Sequence, residues 1–329
     1  MNGVWRRPII RLLAVPVIAF LAIAGFAIAR FHAPGPIEQD TTVVLLPGTG
    51  LSEISKSFAA ADIILDETVF RLGVRISGNS RSLRAGEYLI PAGVTMREVM
   101  EILVSGETVL RRLTVAEGLT VAEVLGLVDE VEALDGVRPE APGEGSLLPE
   151  TYYFSYGDGR SEVVARMAAA MAEALDERWP LRAPGLPLES PEDALILASI
   201  VEKETAVPDE RPRVAAVFIN RLRRGMRLQS DPTVVYGLTG GRGPLDRALT
   251  RADLQRPSPY NTYVIGGLPP GPIANPGRAA IEAVLHPLDT DEFYFVADGN
   301  GGHAFARTLR EHQENVARWR AIQREGNNE

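Results

Sequence analysis

The distribution of apolar and polar positions divides the chain into a long apolar leader, a recurring strand-and-helix pattern and a mostly helical remainder. Residues 12–29 are uncharged and rich in Leu, Ile, Val, Ala and Phe, and Arg6, Arg7 and Arg11 precede them. At about 1.5 Å per residue, extended by residues 8–10 and a snorkelling Arg11, this run can cross a hydrocarbon core of ~30 Å. Arginines on its N-terminal side put that end in the cytoplasm, so the remainder is expected to be exported. Ala27-Ile28-Ala29 has the small-x-small form of a signal cleavage site, but a signal core usually runs only about 7–15 residues. The expectation is a cytoplasmic tail over 1–8 and a retained transmembrane helix over 9–29. Under either reading the body of the protein lies outside the cytoplasm. Residues 30–40, with Pro34, Gly35 and Pro36, read as a short linker.

Beyond the linker one pattern occurs three times: an apolar strand-like run, a Gly turn, then a helix start carrying Glu. The copies are residues 43–48 leading to Glu53, residues 88–93 leading to Glu98, and residues 113–118 leading to Glu123. In the second and third, Thr95 with Glu98 and Thr120 with Glu123 form the S/T-x-x-E capping box. The first has Gly50 in the cap position. Two such units make a small α/β module over 41–110, and the third opens a second domain over 111–322, followed by a polar tail over 323–329. Any α/β protein supplies strand-turn-helix units, so the repeat by itself names no ligand. Residues 130–145 read as a loop, 161–179 as an amphipathic helix, and Pro180 to Pro187 break it.

Ser190-Pro191-Glu192-Asp193 is a helix start: a capping Ser, Pro at the first position and acids in the first turn. The run from Ala194 to Val201 is apolar nearly all round, which predicts a buried helix. It ends in Glu202-Lys203-Glu204-Thr205. The helical neighbours of Glu204 at three, four and seven positions back are Val201, Ile200 and Leu197, all large and apolar. Those of Glu202 are Ser199, Ala198 and Leu195, a smaller set. Glu204 is thus the acid expected at the end of a hydrophobic stripe, where desolvation raises a carboxyl pKa as a general acid requires. From spacing alone it could equally pair with Arg221 or reach solvent at the helix end. Downstream, residues 214–224 read as a helix, Asp231-Pro232-Thr233 as a helix N-terminus capped by Asp231, and Gln229 as free to face a groove. Residues 266–277 are too dense in Pro and Gly for anything but a rigid loop, residues 292–296 read as a strand, and His303 as a turn residue capping a hairpin.

Composition narrows the chemistry. A formal net charge of −9 argues against nucleic acid as a partner. The absence of cysteine excludes disulfides and thiolate chemistry. His32, His286, His303 and His312 are scattered, without metal-ligand spacing, so no metal and no cofactor is expected.

Several of these segments together resemble the YceG-like family of endolytic murein transglycosylases over roughly residues 41–320. The resemblance is carried by Ala198-Ser199-Ile200-Val201-Glu202-Lys203-Glu204-Thr205, Phe218-Ile219-Asn220-Arg221-Leu222, Gln229-Ser230-Asp231-Pro232-Thr233-Val234, Tyr260-Asn261-Thr262-Tyr263 and Gly267-Leu268-Pro269-Pro270-Gly271. It implies an α+β protein with a single inner-membrane helix, a LysM-like α/β module and a mixed catalytic domain with lysozyme-like helical elements. It implies that the Glu before Thr, here Glu204, is catalytic in a peptidoglycan lyase that forms 1,6-anhydro-MurNAc ends. Gln229, Tyr260 and Asn261, like similarly placed residues in other lytic transglycosylases, are the expected substrate-binding residues; a role in stabilising their loops stays open. Peptidoglycan strands and the membrane are the expected partners, and a link to glycan-polymerising synthases follows from the resemblance alone. Two alternatives stay open: a hydrolytic muramidase, which needs a second acid such as Asp231 or Glu202, and a non-catalytic glycan-binding scaffold.

Overall fold

The structure, a computed structural model, describes residues 6–326, with side chains over 15–324. The expected tails over 1–8 and 323–329 therefore lie partly outside the described residues. Among the described residues the architecture is mixed α+β, helices with three two-stranded sheets, and the chain divides into two compact units.

The first unit runs through Arg111 and takes in Phe154–Gly157. Helix α1 (Arg6–Phe31) leads into β1 (Thr41–Leu45), α2 (Leu51–Ala60), α3 (Glu67–Ile76), β2 (Gly86–Ile90) and α4 (Met96–Ser105). Among the residues whose side chains are described no helix is long and apolar enough to cross a membrane; the expected transmembrane helix over 9–29 lies partly outside them. Strands β1 and β2 pair antiparallel, Thr41 opposite Ile90 and Leu45 opposite Gly86. Gly50 caps α2, and Thr95 and Glu98 close their capping box at the start of α4. Helix α3 is an element that the recurring strand-and-helix pattern does not include. It has Asp66 as its cap, whose carboxylate accepts from the Val69 N–H, and it buries Phe70 and Val74.

Residues 31–40 are strapped to this unit rather than free. Phe31 is buried in its core, against Gly73, where any Cβ would come within 2.3 Å of the ring. The Gly35 N–H donates to the Val94 carbonyl at 3.0 Å, the Gly93 N–H to Ile37 at 2.8 Å, and the Ala92 N–H to the Asp40 carboxylate at 3.0 Å. Pro-rich spacing suggested a linker because it forbids helix. It does not forbid docking.

The second unit comprises Arg112–Tyr153 and the chain from Asp158 on. Its elements are β3 (Arg111–Thr114), α5 (Val121–Glu130), β4 (Thr151–Phe154), α6 (Arg160–Arg178), α7 (Pro191–Glu204), α8 (Arg211–Arg223), α9 (Asp231–Thr239), α10 (Arg251–Gln255), α11 (Arg278–Leu285), the hairpin β5 (Tyr294–Ala297) and β6 (His303–Ala306), and α12 (Leu309–Gly326). Thr120 with Glu123 and Ser190 with Asp193 form the capping boxes of α5 and α7. Every residue from Ala194 to Val201 is buried, so α7 is the central rod of a core that α8 and α11 complete.

The Pro/Gly-rich loop is part of that core. Ser199 of α7 donates to the Ile196 carbonyl and accepts from the Ile273 N–H at 3.0 Å. Asn275 is fully buried. Its side chain accepts from the Leu147 N–H at 2.9 Å and donates to the Leu119 carbonyl at 2.8 Å, while its carbonyl accepts from the Gly118 N–H. Three backbone groups of two other loops, 118–119 and 147, are thus satisfied by one residue. Asn275→Ala leaves the Leu147 N–H unpaired in a dry interior, which costs about 2–3 kcal/mol; chemical denaturation should show that loss, and an unchanged midpoint would exclude it.

Candidate active site

Helix α7 points three side chains in two directions. Ser199 and Glu202, three apart on one face, hold the buried loop. One Glu202 oxygen accepts from the Gly277 N–H at 2.9 Å and the other faces Arg211 at 3.4 Å. Burial raises the pKa of Glu202, but both its oxygens are taken. Glu204, the last helical residue, lies two positions on and so projects from nearly the opposite side.

There it keeps some surface open to a groove of about 460 Å³, while the carboxyl itself is closely surrounded by protein. Loss of solvent pushes its pKa up to about 7. The Asp231 charge adds to the rise, and the Ser230 hydroxyl, His303 and Arg221 pull it back. Arg221 does not pair with it. Its guanidinium donates to the carbonyls of Leu228 at 2.5 Å and Phe293 at 2.7 Å, tying both walls of the groove to α8.

The Ser230 hydroxyl donates to Oε1 of Glu204 at 2.5 Å. Three further bonds fix that serine. Its N–H donates to Thr262 Oγ1 at 2.9 Å, its carbonyl accepts from Thr233 Oγ1 at 2.7 Å, and the two threonine hydroxyls bond each other at 2.8 Å. Just before it, Gln229 adopts φ +53°, a left-handed conformation that costs a non-glycine residue on the order of 1 kcal/mol. Its N–H donates to the Thr262 carbonyl, so the strained turn is held from the neighbouring loop.

Gln229 and Asp231 line the groove with Glu204, together with Tyr263, Tyr294 and His312. The Tyr263 hydroxyl donates to Asp231 at 2.6 Å, and the rings of Tyr294 and His312 stack with centroids 5.1 Å apart. Asp231 is therefore not the cap of α9. Ser230 occupies that position without capping, because its hydroxyl is committed to Glu204. Tyr260 and Asn261 do not line the groove. The Tyr260 ring packs on Tyr236 at 4.8 Å. Asn261 is buried, its NH₂ donating to the carbonyls of Asp253, Leu254 and Arg256 and its oxygen accepting from the Tyr263 N–H. Its NH₂ group closes α10 onto the following loop, so it has no donor left for a sugar.

His303 also differs from the turn residue its sequence suggested. It opens β6 opposite Ala297, and its Nδ1 lies 2.6 Å from Glu210, which also accepts from the His303 N–H. Thr205, next to Glu204, donates to that same carboxylate. Among the described residues no group of acids and histidines could hold a metal ion. A second cavity of about 460 Å³, in the first unit, is largely apolar, and its Arg97 and Glu101 pair with each other at 2.9 Å.

Three comparisons place this arrangement among known proteins. The model of the YceG-like family matches residues 43–318. A Bacillus subtilis protein named endolytic murein transglycosylase is 32% identical over 314 residues, covering 85% of this chain and 86% of that protein. A Streptococcus pneumoniae protein of the same name is 27% identical over 325 residues, 84% of this chain but 58% of its own length. The crystal structure of a YceG-like protein from Listeria monocytogenes has a TM-score of 0.51 at 30% identity, covering 84% of this chain and 99% of that one. With a family match spanning most of its length and a relative above 30% identity along nearly all of both chains, the chain belongs to the YceG-like family.

Proposed function

We propose that this protein is an endolytic peptidoglycan lytic transglycosylase, held in the inner membrane by its N-terminal helix with its body outside the cytoplasm, and that Glu204 is its single acid/base. The observation that carries the reading is a carboxyl with a pKa near 7 at the dry end of α7, opening onto a groove lined by aromatic and polar side chains. Ser230 donates to Oε1, and among the described residues Oε2 has no protein partner, which leaves it to carry the transferable proton.

The chemistry runs in two halves. Neutral Glu204 gives its proton to the oxygen bridging MurNAc C1 to GlcNAc, and that C1–O bond breaks through an oxocarbenium-like state. The carboxylate then takes the proton from the 6-hydroxyl of the same MurNAc as its oxygen bonds to C1. The product is a 1,6-anhydro end, no water is consumed, and Glu204 returns to its starting form. One carboxyl near pH 7 suits both halves, since it must give a proton and then accept one.

Gln229 faces the groove and serves as a positioning donor. The β-α-α-β order of β1, α2, α3 and β2 supports the first unit as a LysM-like glycan-binding module over 41–110. The buried α7 with its acid at the end supports lysozyme-like elements in a catalytic domain over 111–322. Glycan-polymerising synthases, which would supply the strand being cut, are proposed partners. A hydrolytic reading keeps one point in its favour, because Asp231 lies in the same groove; Glu202 is removed from contention by Arg211 and Gly277.

With uncross-linked strands as substrate, the full-length protein should release fragments ending in 1,6-anhydro-MurNAc by mass spectrometry, and Glu204→Gln should lower the rate by at least about a thousandfold with folding intact. Reducing MurNAc ends would establish the muramidase instead, and cutting by the variant would dismiss Glu204. The raised carboxyl also has a sign for stability. The folded state holds a proton that the unfolded state releases near pH 4.5, so its contribution is complete below that pH and is lost as pH rises through about 7. Glu204→Gln should flatten this slope and be more stable than wild type at pH 8 by about 1–3 kcal/mol in denaturation curves; a variant equal to or weaker than wild type there would contradict the burial. Alkaline carbonate should leave the full-length chain in the membrane pellet, and release into the supernatant would refute the anchor.

A further inference from the structure

Beside the groove lies a second hollow of about 390 Å³, and the two share Tyr294 and Leu309 as a common wall. Its distinguishing feature is two guanidinium groups, Arg224 at the end of α8 and Arg307 just after β6, both exposed. Neither makes an ion pair among the described residues, in a chain whose net charge is −9. Arg224 lies over the Phe293 ring, 5.5 Å from its centroid, a cation–π contact that uses none of its N–H donors.

The acids that feel the charge of Arg307 are Glu292 and Glu311. Both are engaged elsewhere. Glu292 takes a bidentate pair from Arg213 at 2.5 and 2.8 Å, and Glu311 accepts from the backbone N–H groups of Arg307 and Thr308 at 3.0 and 3.2 Å. Two guanidinium forks that no carboxylate pairs with among the described residues therefore line a hollow next to the site where a sugar would be cut. Planar bidentate donors of this kind match carboxylates.

Resting on the reading of this chain as a glycan-strand lyase, we propose that Arg224 and Arg307 form a subsite for the carboxylates of the peptide stems carried by MurNAc. The enzyme then distinguishes stem-bearing strands from bare glycan through a contact outside the reacting sugar. Because the hollow opens to solvent, the preference weakens as salt is raised.

The test compares soluble uncross-linked strands with intact stems and the same strands stripped of stems by an amidase, whose remaining lactyl carboxylate lies on the MurNAc ring itself and not out along a stem. Neither carries a lipid carrier, so a carrier phosphate cannot supply the difference. Full-length Glu204→Gln protein should bind the stem-bearing strands more tightly. Adding Arg224→Gln and Arg307→Gln together should weaken that binding about five- to tenfold and leave stripped strands unaffected. In the active chain the same pair should raise KM for stem-bearing strands by a similar factor, with kcat kept. Unchanged binding, or an equal loss on both kinds of strand, overturns the subsite; both residues are exposed, and an unchanged thermal melt separates an equal loss from misfolding. If the active chain cuts neither substrate, the lyase reading fails while the binding comparison still decides the subsite.

Discussion

The second unit is organised around a carboxyl that water has largely left. Helix α7 is buried along its whole apolar run, and its last residue inherits that dryness. An isolated buried carboxylate is costly, and the site meets that cost with a proton and one short hydrogen bond from Ser230. Most features nearby follow from keeping that hydroxyl in place. Thr262 and Thr233 hold Ser230, the Tyr260 to Tyr263 turn supplies Thr262, and Asn261 locks the turn against α10. A residue in the middle of a motif can thus be indispensable to geometry with no contact to the groove.

The two glutamates at the end of α7 show how position divides the work of one residue type. Glu202 is a tie: its oxygens hold Arg211 and the N-terminus of α11, and freeing it would loosen the loop from 271 to 277. Glu204, nearly half a turn of helix away, has one oxygen bound and one open. Both carboxyls have raised pKa values from burial, so the shift alone does not separate them. Hydrogen-bond accounting does.

Much of this was legible in the residues. Capping boxes at Thr95, Thr120 and Ser190 gave helix starts because caps are local chemistry, readable within four residues. The apolar run before Glu204 gave a buried helix, and helical spacing put that acid at the end of its stripe. The family and the α+β class were legible in several motifs standing in the right order along the chain. What escaped was long-range pairing. Nothing in the sequence says that Ser230 bonds an acid twenty-six positions earlier, that His303 meets Glu210, or that Arg221 serves two carbonyls and no carboxylate. Tyr260 and Asn261 were expected at the substrate from the family resemblance, with stabilisation of their own loop as the open alternative. The structure turns them inward, since a loop that carries Thr262 to Ser230 needs an anchor of its own.

The strapping of residues 31–40 alters what an N-terminal tether means. A flexible leash lets a tethered domain sweep a hemisphere set by its length. Here the end of α1 is sunk into the first unit through Phe31, and the segment after it is sewn to residues 92–94, so no slack remains. With α1 in the bilayer as proposed, the first unit works as a footing rather than a float. On that reading its surface keeps a fixed, small height above the lipid, and a glycan strand bound there lies close to the membrane.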